Sequence, residues 1–295
     1  HSDLGFIKNR ITESLGDLYG MHWPFKQHRT SRNVKQLPHH ENLKSFGACF
    51  GVSGGYERPM WFALDGEKAE YKYSYNYQSW YPSAEYETHN TLKNVGLFDL
   101  TPFSKFEIKS DKAHQELQKI CTANIKKDAG KCTYTHMLNS DGGIEADLTV
   151  VSVDENHFRI ISSAATRERD KHHIKKHLNK DIELKDVTDD YCVFGLFGPK
   201  SRDLMNSLSN DNFSNENFRF GTAKFISIED TKIWTQRLSY VGELGYELYV
   251  EVKDAKKIYE LIVNKGKDFN LSNCGMHAMD IMRMESGFLH WGHDI

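Results

Sequence analysis

Apolar residues recur every three or four positions near the start of the chain. Leu4, Ile7, Ile11, Leu15 and Leu18 share one face of a helix predicted over residues 2–19, with Ser2 as its cap and Gly20 at its end. The periodicity then disappears over residues 21–63. Met-His-Trp-Pro-Phe-Lys-Gln, a glycine-rich stretch from Gly47 to Gly55 and Arg58-Pro59-Met60-Trp61-Phe62 predict an irregular but ordered arm that packs its aromatic rings against something. Residues 68–82, aromatic and rich in serine, predict a linker or lid.

From residue 84 onward, regular patterns return. Residues 85–93 read as a helix, 95–100 as a buried strand, and Lys105 to Ile108 alternate as a strand does. Asp111 is the predicted cap of a helix through Ile120 that turns Ala113, Leu117, Ile120 and Cys121 inward. A hairpin spans residues 132–151, with its reversal at Ser140-Asp141-Gly142-Gly143, where consecutive glycines allow positive φ. Beyond that turn Leu148, Val150 and Ser152 face one way and Thr149 and Val151 the other. Residues 157–161 supply an antiparallel neighbour, and Thr166 caps a helix to Leu178. Later come strands at 182–187 and 192–197, a helix from Pro199 to Leu208, a hairpin over 222–239, a strand at 247–252 and helices at 254–264 and 277–287. Strands pair as hairpins and helices intervene irregularly, which predicts an α+β fold with mainly antiparallel sheets and flanking helices. The expected organisation is an N-terminal helix and arm over residues 1–83, followed by a domain over 84–295 in two lobes, 84–188 and 189–295.

Composition narrows the function classes. At 295 residues, 39% hydrophobic and 27% charged, the chain can bury a sizeable core. A net charge of -3 argues against tracking nucleic-acid phosphates, and the basic run 171–177 reads as a solvated helix face. No apolar run approaches a membrane span; residues 192–198 are the nearest and are strand-sized. Five cysteines without a C-x-x-C pair predict free thiols in a reducing compartment, the cytoplasm or a mitochondrial matrix. His290 and His293 lack further ligands at a metal-binding spacing, so no metal site is expected. No G-x-G-x-x-G or P-loop occurs, hence no dinucleotide or triphosphate cradle. Without an initiating Met or a signal peptide, the chain reads as an excised or processed piece.

Two carboxylates stand out. Asp147 lies where the glycine turn enters an apolar strand, well placed for chemistry and badly placed for plain solvation. Glu247 follows two glycines in Ser239-Tyr240-Val241-Gly242-Glu243-Leu244-Gly245-Tyr246-Glu247-Leu248-Tyr249, and as strand residues Glu247 and Tyr249 share a face. A carboxylate beside an aromatic ring suits a flat heterocycle with an amidine-like N–H pair, accepted bidentately at its edge and stacked on its face. A surface strand with a solvated Glu247 fits the same spacing.

Together, Y-T-H-M-L-N-S-D-G-G-I-E-A-D-L-T-V, S-S-A-A-T-R-E-R-D, L-F-G-P, Y-V-G-E-L-G-Y-E-L-Y and D-I-M-R-M-E-S-G-F resemble the glycine cleavage T-protein (aminomethyltransferase) family over nearly the whole chain. V-G-L-F-D-L-T-P-F-S-K-F-E-I, M-H-W-P-F-K-Q and R-P-M-W-F resemble one branch more closely, the C-terminal folate-binding half of dimethylglycine and sarcosine dehydrogenases. The resemblance implies a T-protein-like folate-binding fold, whose C-terminal barrel is not expected in this chain. It places the catalytic aspartate on Asp147, and the cofactor-binding positions on Tyr134, Thr149, Ile161, Glu247 and Tyr249, with Tyr240 and Glu243 in the motif's turn. Two positions depart from the family pattern: Ala146 precedes Asp147 where many members carry a second Asp, and Met279 replaces an Arg.

The activity implied is tetrahydrofolate-dependent capture of the one-carbon unit of an N-methylglycine of the dimethylglycine or sarcosine type. A flavin domain, carrying FAD and expected upstream, oxidises the amine to an iminium. A tetrahydrofolate nitrogen attacks it, and methylene-tetrahydrofolate and the demethylated amine result. Asp147 would stabilise the developing cation and manage the proton leaving that nitrogen. The alternatives are a stand-alone folate-dependent transferase with another donor and a non-catalytic folate-binding scaffold. The expected partners are a reduced folate, an N-methylated amine and a flavin dehydrogenase domain, with neither nucleic acid nor membrane.

Overall fold

The structure, a computed structural model, describes residues 3–295. It opens with α1 (Leu4–Asp17), α2 (His40–Ser45) and a hairpin of β1 (Ala48–Ser53) and β2 (Tyr56–Phe62), after which α3 (Tyr81–Lys93) leads into β3 (Val95–Asp99). Next come β4 (Ser104–Lys109), α4 (Ala113–Ile120), β5 (Cys132–Leu138), β6 (Ile144–Asp154), β7 (His157–Ser162), α5 (Arg167–His177) and β8 (Leu184–Asp186). The chain ends with β9 (Tyr191–Phe197), α6 (Ser201–Leu208), β10 (Ala223–Ile228), β11 (Thr231–Gln236), β12 (Gly245–Glu251), α7 (Val252–Gly266), β13 (Leu271–Cys274) and α8 (Met276–Glu285).

The strands form a five-stranded sheet ordered β5-β6-β7-β4-β8 and a six-stranded sheet ordered β10-β11-β12-β9-β3-β13, beside the β1-β2 hairpin. All pairings are antiparallel except β13 with β3. This is the mainly antiparallel α+β architecture expected. Since β3 lies between β9 and β13, a division of the chain at residue 188 does not separate the two sheets.

Three apolar layers follow from strand alternation. Leu148 and Val150 of β6 bury against α4 and α5, beside Leu117 and Ile174. Val151 of the same strand points the other way, into a layer shared with Val193, Trp234 and Tyr249 of the six-stranded sheet and Met279 and Met282 of α8. On the far side of the six-stranded sheet, Leu196, Leu248 and Val250 pack against Leu204 of α6 and Ile258 and Ile262 of α7. The two sheets thus face each other across one layer, and the site lies at its edge.

The arm is more regular than its sequence suggests. Its two strands escape a period-two reading because Pro59 sits beside an irregularity between Cys49 and Phe50, a position that tolerates the missing N–H. The arm also packs tightly on the domain: a Cβ on Gly275 would stand 2.2 Å from the Met60 carbonyl group. Glu87 of α3 accepts from the Phe62 and Gly275 amides, each at 2.7 Å, and so ties three elements together.

Other boundaries shift for local reasons. The Ser2 cap lies outside the described residues; Asp3 caps α1, accepting from the Gly5 and Phe6 amides. The apolar stripe of α1 is uncovered, with Leu4 81% and Leu18 65% exposed. What anchors the helix is polar: Glu13 accepts from the Arg29 and Thr30 amides. Helix α3 begins four residues early because Pro82 in its first turn requires no donor. Asp111 does not cap α4, whose N-cap is Lys112, and Pro199 precedes α6 rather than starting it. Thr166 holds the α5 N-cap position, but its hydroxyl donates to Asp170. Strand β13 has no counterpart among the predicted elements, because it is too short and polar to show a period. No helix among the described residues is long and apolar enough to cross a membrane.

Candidate functional site

The hairpin turn sets the register that presents Asp147. Gly142 takes φ +82°, whereas Gly143 keeps an ordinary φ, and Asn139 clamps the loop by accepting from the Asp141 and Gly143 amides. With an irregularity between Met137 and Leu138, the ladder pairs His136 with Asp147, Tyr134 with Thr149, and Thr149 with Ile161. Directly paired residues share a face, so Asp147, His136, Tyr134, Thr149 and Ile161 all look toward the six-stranded sheet. Ala146, one residue off, is 1% exposed in the opposite layer under the helices. A carboxylate at 146 would enter that apolar layer, not join Asp147.

Asp147 is half-buried, with His136 Nε2 at 3.8 Å from Oδ1. The Tyr134 hydroxyl lies 3.3 Å from His136 Nε2, and the ring stands at the mouth, 62% exposed. Burial and the Asp147 carboxylate push the Tyr134 hydroxyl upward, so it remains a proton donor. Tyr240, in the loop between β11 and β12, lies within the field of the same carboxylate; burial first, then the field of Asp147, pushes its hydroxyl up against the opposing Arg283. The C-terminal segment holds Tyr240 in place. Its hydroxyl donates to the Leu289 carbonyl at 3.0 Å, and its ring stacks on Phe288 at 5.9 Å.

The second carboxylate is also half-buried, but set mid-sheet. Glu247 pairs with Gln236 and Gly195, and Tyr249 with Trp234 and Val193, on the face turned toward the five-stranded sheet. Glu247 Oε2 accepts from the Tyr249 hydroxyl at 3.0 Å, leaving Oε1 without a partner. Burial pushes the Glu247 carboxyl up to about 7, with the Tyr249 hydrogen bond working the other way. The solvated Glu247 that the spacing also allowed is therefore not what the structure shows.

Cys132 of the facing sheet bridges the two ends. Its thiol is pushed up by burial and by the Glu247 carboxylate, and on β5 it stands two residues from Tyr134 on the same face. Arg159 of β7 forks onto Glu107 and stacks over Tyr191 and Tyr249, at 4.7 and 5.7 Å. The two motifs, a hundred residues apart in sequence, address the space between the sheets from opposite walls. Chemically, one end offers a half-open proton acceptor flanked by two phenols. The other offers a mid-sheet, half-buried acceptor for a paired N–H edge.

Sequence reasoning missed three residues here. His136 sits inside the highlighted hairpin, but the irregularity at Met137 defeats simple counting of the pairing. Arg159 reads as one more alternating polar residue. Gln236 closes β11, where a polar residue looks solvated; instead it is fully buried, and neither amide atom has a partner. Met279 fills the layer between the sheets at 3% exposure, and Glu243 is half-buried with its carboxyl pushed up. Among the described residues no cluster of His, Cys, Asp and Glu could hold a metal.

Comparison with known proteins gives concordant results. The family described as the GCVT N-terminal domain matches residues 39–295. The chain is 37% identical over 291 residues to the 4-methylaminobutanoate oxidase (formaldehyde-forming) of Paenarthrobacter nicotinovorans, covering 98% of this chain and 35% of that protein. To the mitochondrial dimethylglycine dehydrogenase of Rattus norvegicus it is 29% identical over 293 residues, covering 98% and 34%. It thus spans about a third of the length of these relatives. Among solved structures, the glycine cleavage system aminomethyltransferase T from Bartonella henselae superposes with a TM-score of 0.73 at 22% identity, over 89% of this chain and 65% of that one, a likeness of fold.

Proposed function

The chain belongs to the GCVT N-terminal domain family, and from that premise we propose that it catalyses tetrahydrofolate-dependent one-carbon transfer. In this reading it captures the methylene unit of an oxidised N-methylated amino acid of the dimethylglycine or sarcosine type. The donor is supplied by a flavin dehydrogenase domain carrying FAD. The observation that carries the proposal is the pair of half-buried carboxylates on facing sheet surfaces, one beside the hairpin mouth and one set mid-sheet with its carboxyl raised by burial.

The residues fit a reduced pterin. Glu247 Oε1 is free to accept beside the bonded Oε2, and the buried Gln236 amide, directly across the ladder, has a donor and an acceptor both unused. Buried polar groups of this kind are satisfied by a partner or are costly. A paired N–H edge on Glu247 and a ring against Tyr249 use this arrangement fully. Tyr134, Thr149 and Ile161 form the opposite wall, and Tyr240 closes the outer end.

When bound, tetrahydrofolate supplies the amine nitrogen that takes up the one-carbon unit as methylene-tetrahydrofolate. The chain's own task is proton management and positioning. Asp147 accepts the proton leaving that nitrogen and offsets the positive charge on the donor. Tyr134 and Tyr240, both kept protonated, hold the carboxylate's surroundings polar without competing for that proton. A reactive iminium needs little activation, so positioning supplies most of the rate.

Calorimetric titration with tetrahydrofolate tests the reading. Glu247→Gln should cost about 2 kcal/mol, roughly thirtyfold in affinity, as for a lost charge-assisted hydrogen bond. An isotherm identical to that of the unmodified protein refutes the assignment.

A further inference from the structure

The imidazole beside Asp147 has no part in the chemistry described so far. His136 pairs directly with Asp147 across β5 and β6, so the two side chains share a face. Its Nε2 stands 3.8 Å from Asp147 Oδ1 and 3.3 Å from the Tyr134 hydroxyl, and the two rings meet edge-on at 5.3 Å. The backbone under the ring is held. The His136 amide donates to Thr122 Oγ1 at 3.3 Å, the Thr122 amide donates back to the His136 carbonyl at 2.9 Å, and Cys121 bridges Met137. A short rotation of the side chain alone therefore brings Nε2 onto Oδ1. The His136 side chain is 31% exposed and that of Asp147 22%, so the imidazole is the outer member of the pair and exchanges protons with water.

The two charge states of this ring act differently on Asp147. As a neutral imidazole it accepts at Nε2 from the Tyr134 hydroxyl, which burial and Asp147 keep protonated. The carboxylate is then left to other partners. As an imidazolium the ring donates from both nitrogens, and Nε2 forms a charge-assisted pair with Oδ1. A positive charge this close also lowers the proton affinity of the carboxylate. Asp147 thereby loses both properties that the transfer needs, its readiness to take a proton and its spare negative charge for a cationic donor. The other titratable groups here do not substitute for the ring. Tyr134 on the same strand stays a phenol, Tyr240 enters through the field of Asp147, and Cys121 of the strap turns into the opposite apolar layer.

We propose that His136 is a positioning residue that acts through Asp147: its neutral form frees the carboxylate for the cationic donor, and its imidazolium form competes with that donor. The inference rests on the one-carbon-transfer reading for the identity of the donor. No bond is made or broken in this step. A proton taken from water sits on the ring at low pH and returns to water as the pH rises.

The test compares His136→Gln, which is neutral at every pH used, with His136→Lys, which is charged at every pH used. Formation of methylene-tetrahydrofolate is followed in the full chain between about pH 5.5 and 8, the range over which an imidazole changes charge. The donor is the iminium formed by mixing sarcosine with formaldehyde, the uncatalysed rate is subtracted, and tetrahydrofolate is saturating so that Glu247 does not enter the rate. His136→Gln should outrun the unmodified protein by about tenfold at the acid end and match it at the alkaline end. His136→Lys should stay about tenfold below His136→Gln throughout. Calorimetric tetrahydrofolate affinity at pH 8 should be the same in all three proteins. The proposal is overturned if the ratio of His136→Gln to unmodified rates does not change with pH, if Lys and Gln at 136 give equal rates, or if both variants lose folate affinity in step with rate. His136→Asn is the second neutral variant should His136→Gln misfold. An unmodified protein that neither binds nor uses tetrahydrofolate sinks the folate reading and this inference with it; folate binding and transfer with a pH-independent ratio sinks this inference alone.

Discussion

Asp147 and Glu247 project from facing sheets toward one space, yet their surroundings differ in kind. Asp147 opens toward solvent beside His136 and the exposed Tyr134, close to a turn built on Gly142. Glu247 lies mid-sheet between two neighbouring strands, its carboxyl raised to about 7 by burial, with one phenolic donor. A group that exchanges protons during a reaction needs access and small rearrangements. A group that recognises a fixed heterocyclic edge gains from exclusion of water, which strengthens each hydrogen bond. Under the proposed function, the contrast is a division of labour in which the carboxylate at the mouth does the chemistry and the one set mid-sheet sets affinity.

The division can be broken at either end. The largest effect is expected from Asp147→Asn, which should slow transfer to tetrahydrofolate by about a hundredfold or more while leaving binding within a few-fold. Single-turnover rates measured beside calorimetry separate the two, and unmodified transfer rates would remove Asp147 from its role. Gly242→Ala acts on the outer end alone. Gly242 takes φ +76°, and a Cβ there would lie 2.0 Å from Ser286 Oγ. The substitution should lower stability by about 2 kcal/mol and disturb Tyr240 more than Glu247, so denaturant unfolding shifts while the pH dependence of folate binding is kept. Tyr249→Phe sharpens the mid-sheet end. Losing the donor to Oε2 should raise the Glu247 carboxyl further and weaken folate binding by about 1 kcal/mol; an affinity profile that does not move toward higher pH speaks against the pairing.

How legible was this in the sequence? The strands that carry the site announced themselves through apolar alternation bounded by glycine turns, and the two carboxylates through their position at strand entries. The arm was not legible, because Pro59 and the neighbouring irregularity erase the period that marks a strand. Gln236 and Arg159 were hidden for a different reason. A polar residue at a strand end looks solvated until the second sheet is laid over it, and nothing local encodes that sheet's arrival. The α1 stripe misled in the opposite direction: its period predicted a helix correctly, but nothing among the described residues covers Leu4, Ile11, Leu15 or Leu18.

Glu247, the carboxylate set mid-sheet, carries the most direct test. A Glu247 raised to about 7 is largely protonated at pH 6 and largely ionised at pH 8, and only the ionised form accepts a paired N–H edge. The same raised value makes the folded state hold its proton longer than the unfolded chain. The contribution of Glu247 to stability is therefore greatest below pH 4.5 and is lost as the pH climbs to about 7. Ligand affinity runs in the opposite sense. Tetrahydrofolate affinity measured from pH 6 to 8 should rise about tenfold and level off above the midpoint, and Glu247→Gln should flatten the curve. A profile in the unmodified protein that is flat, or that falls with pH, contradicts the assignment of Glu247 as the recognising carboxylate.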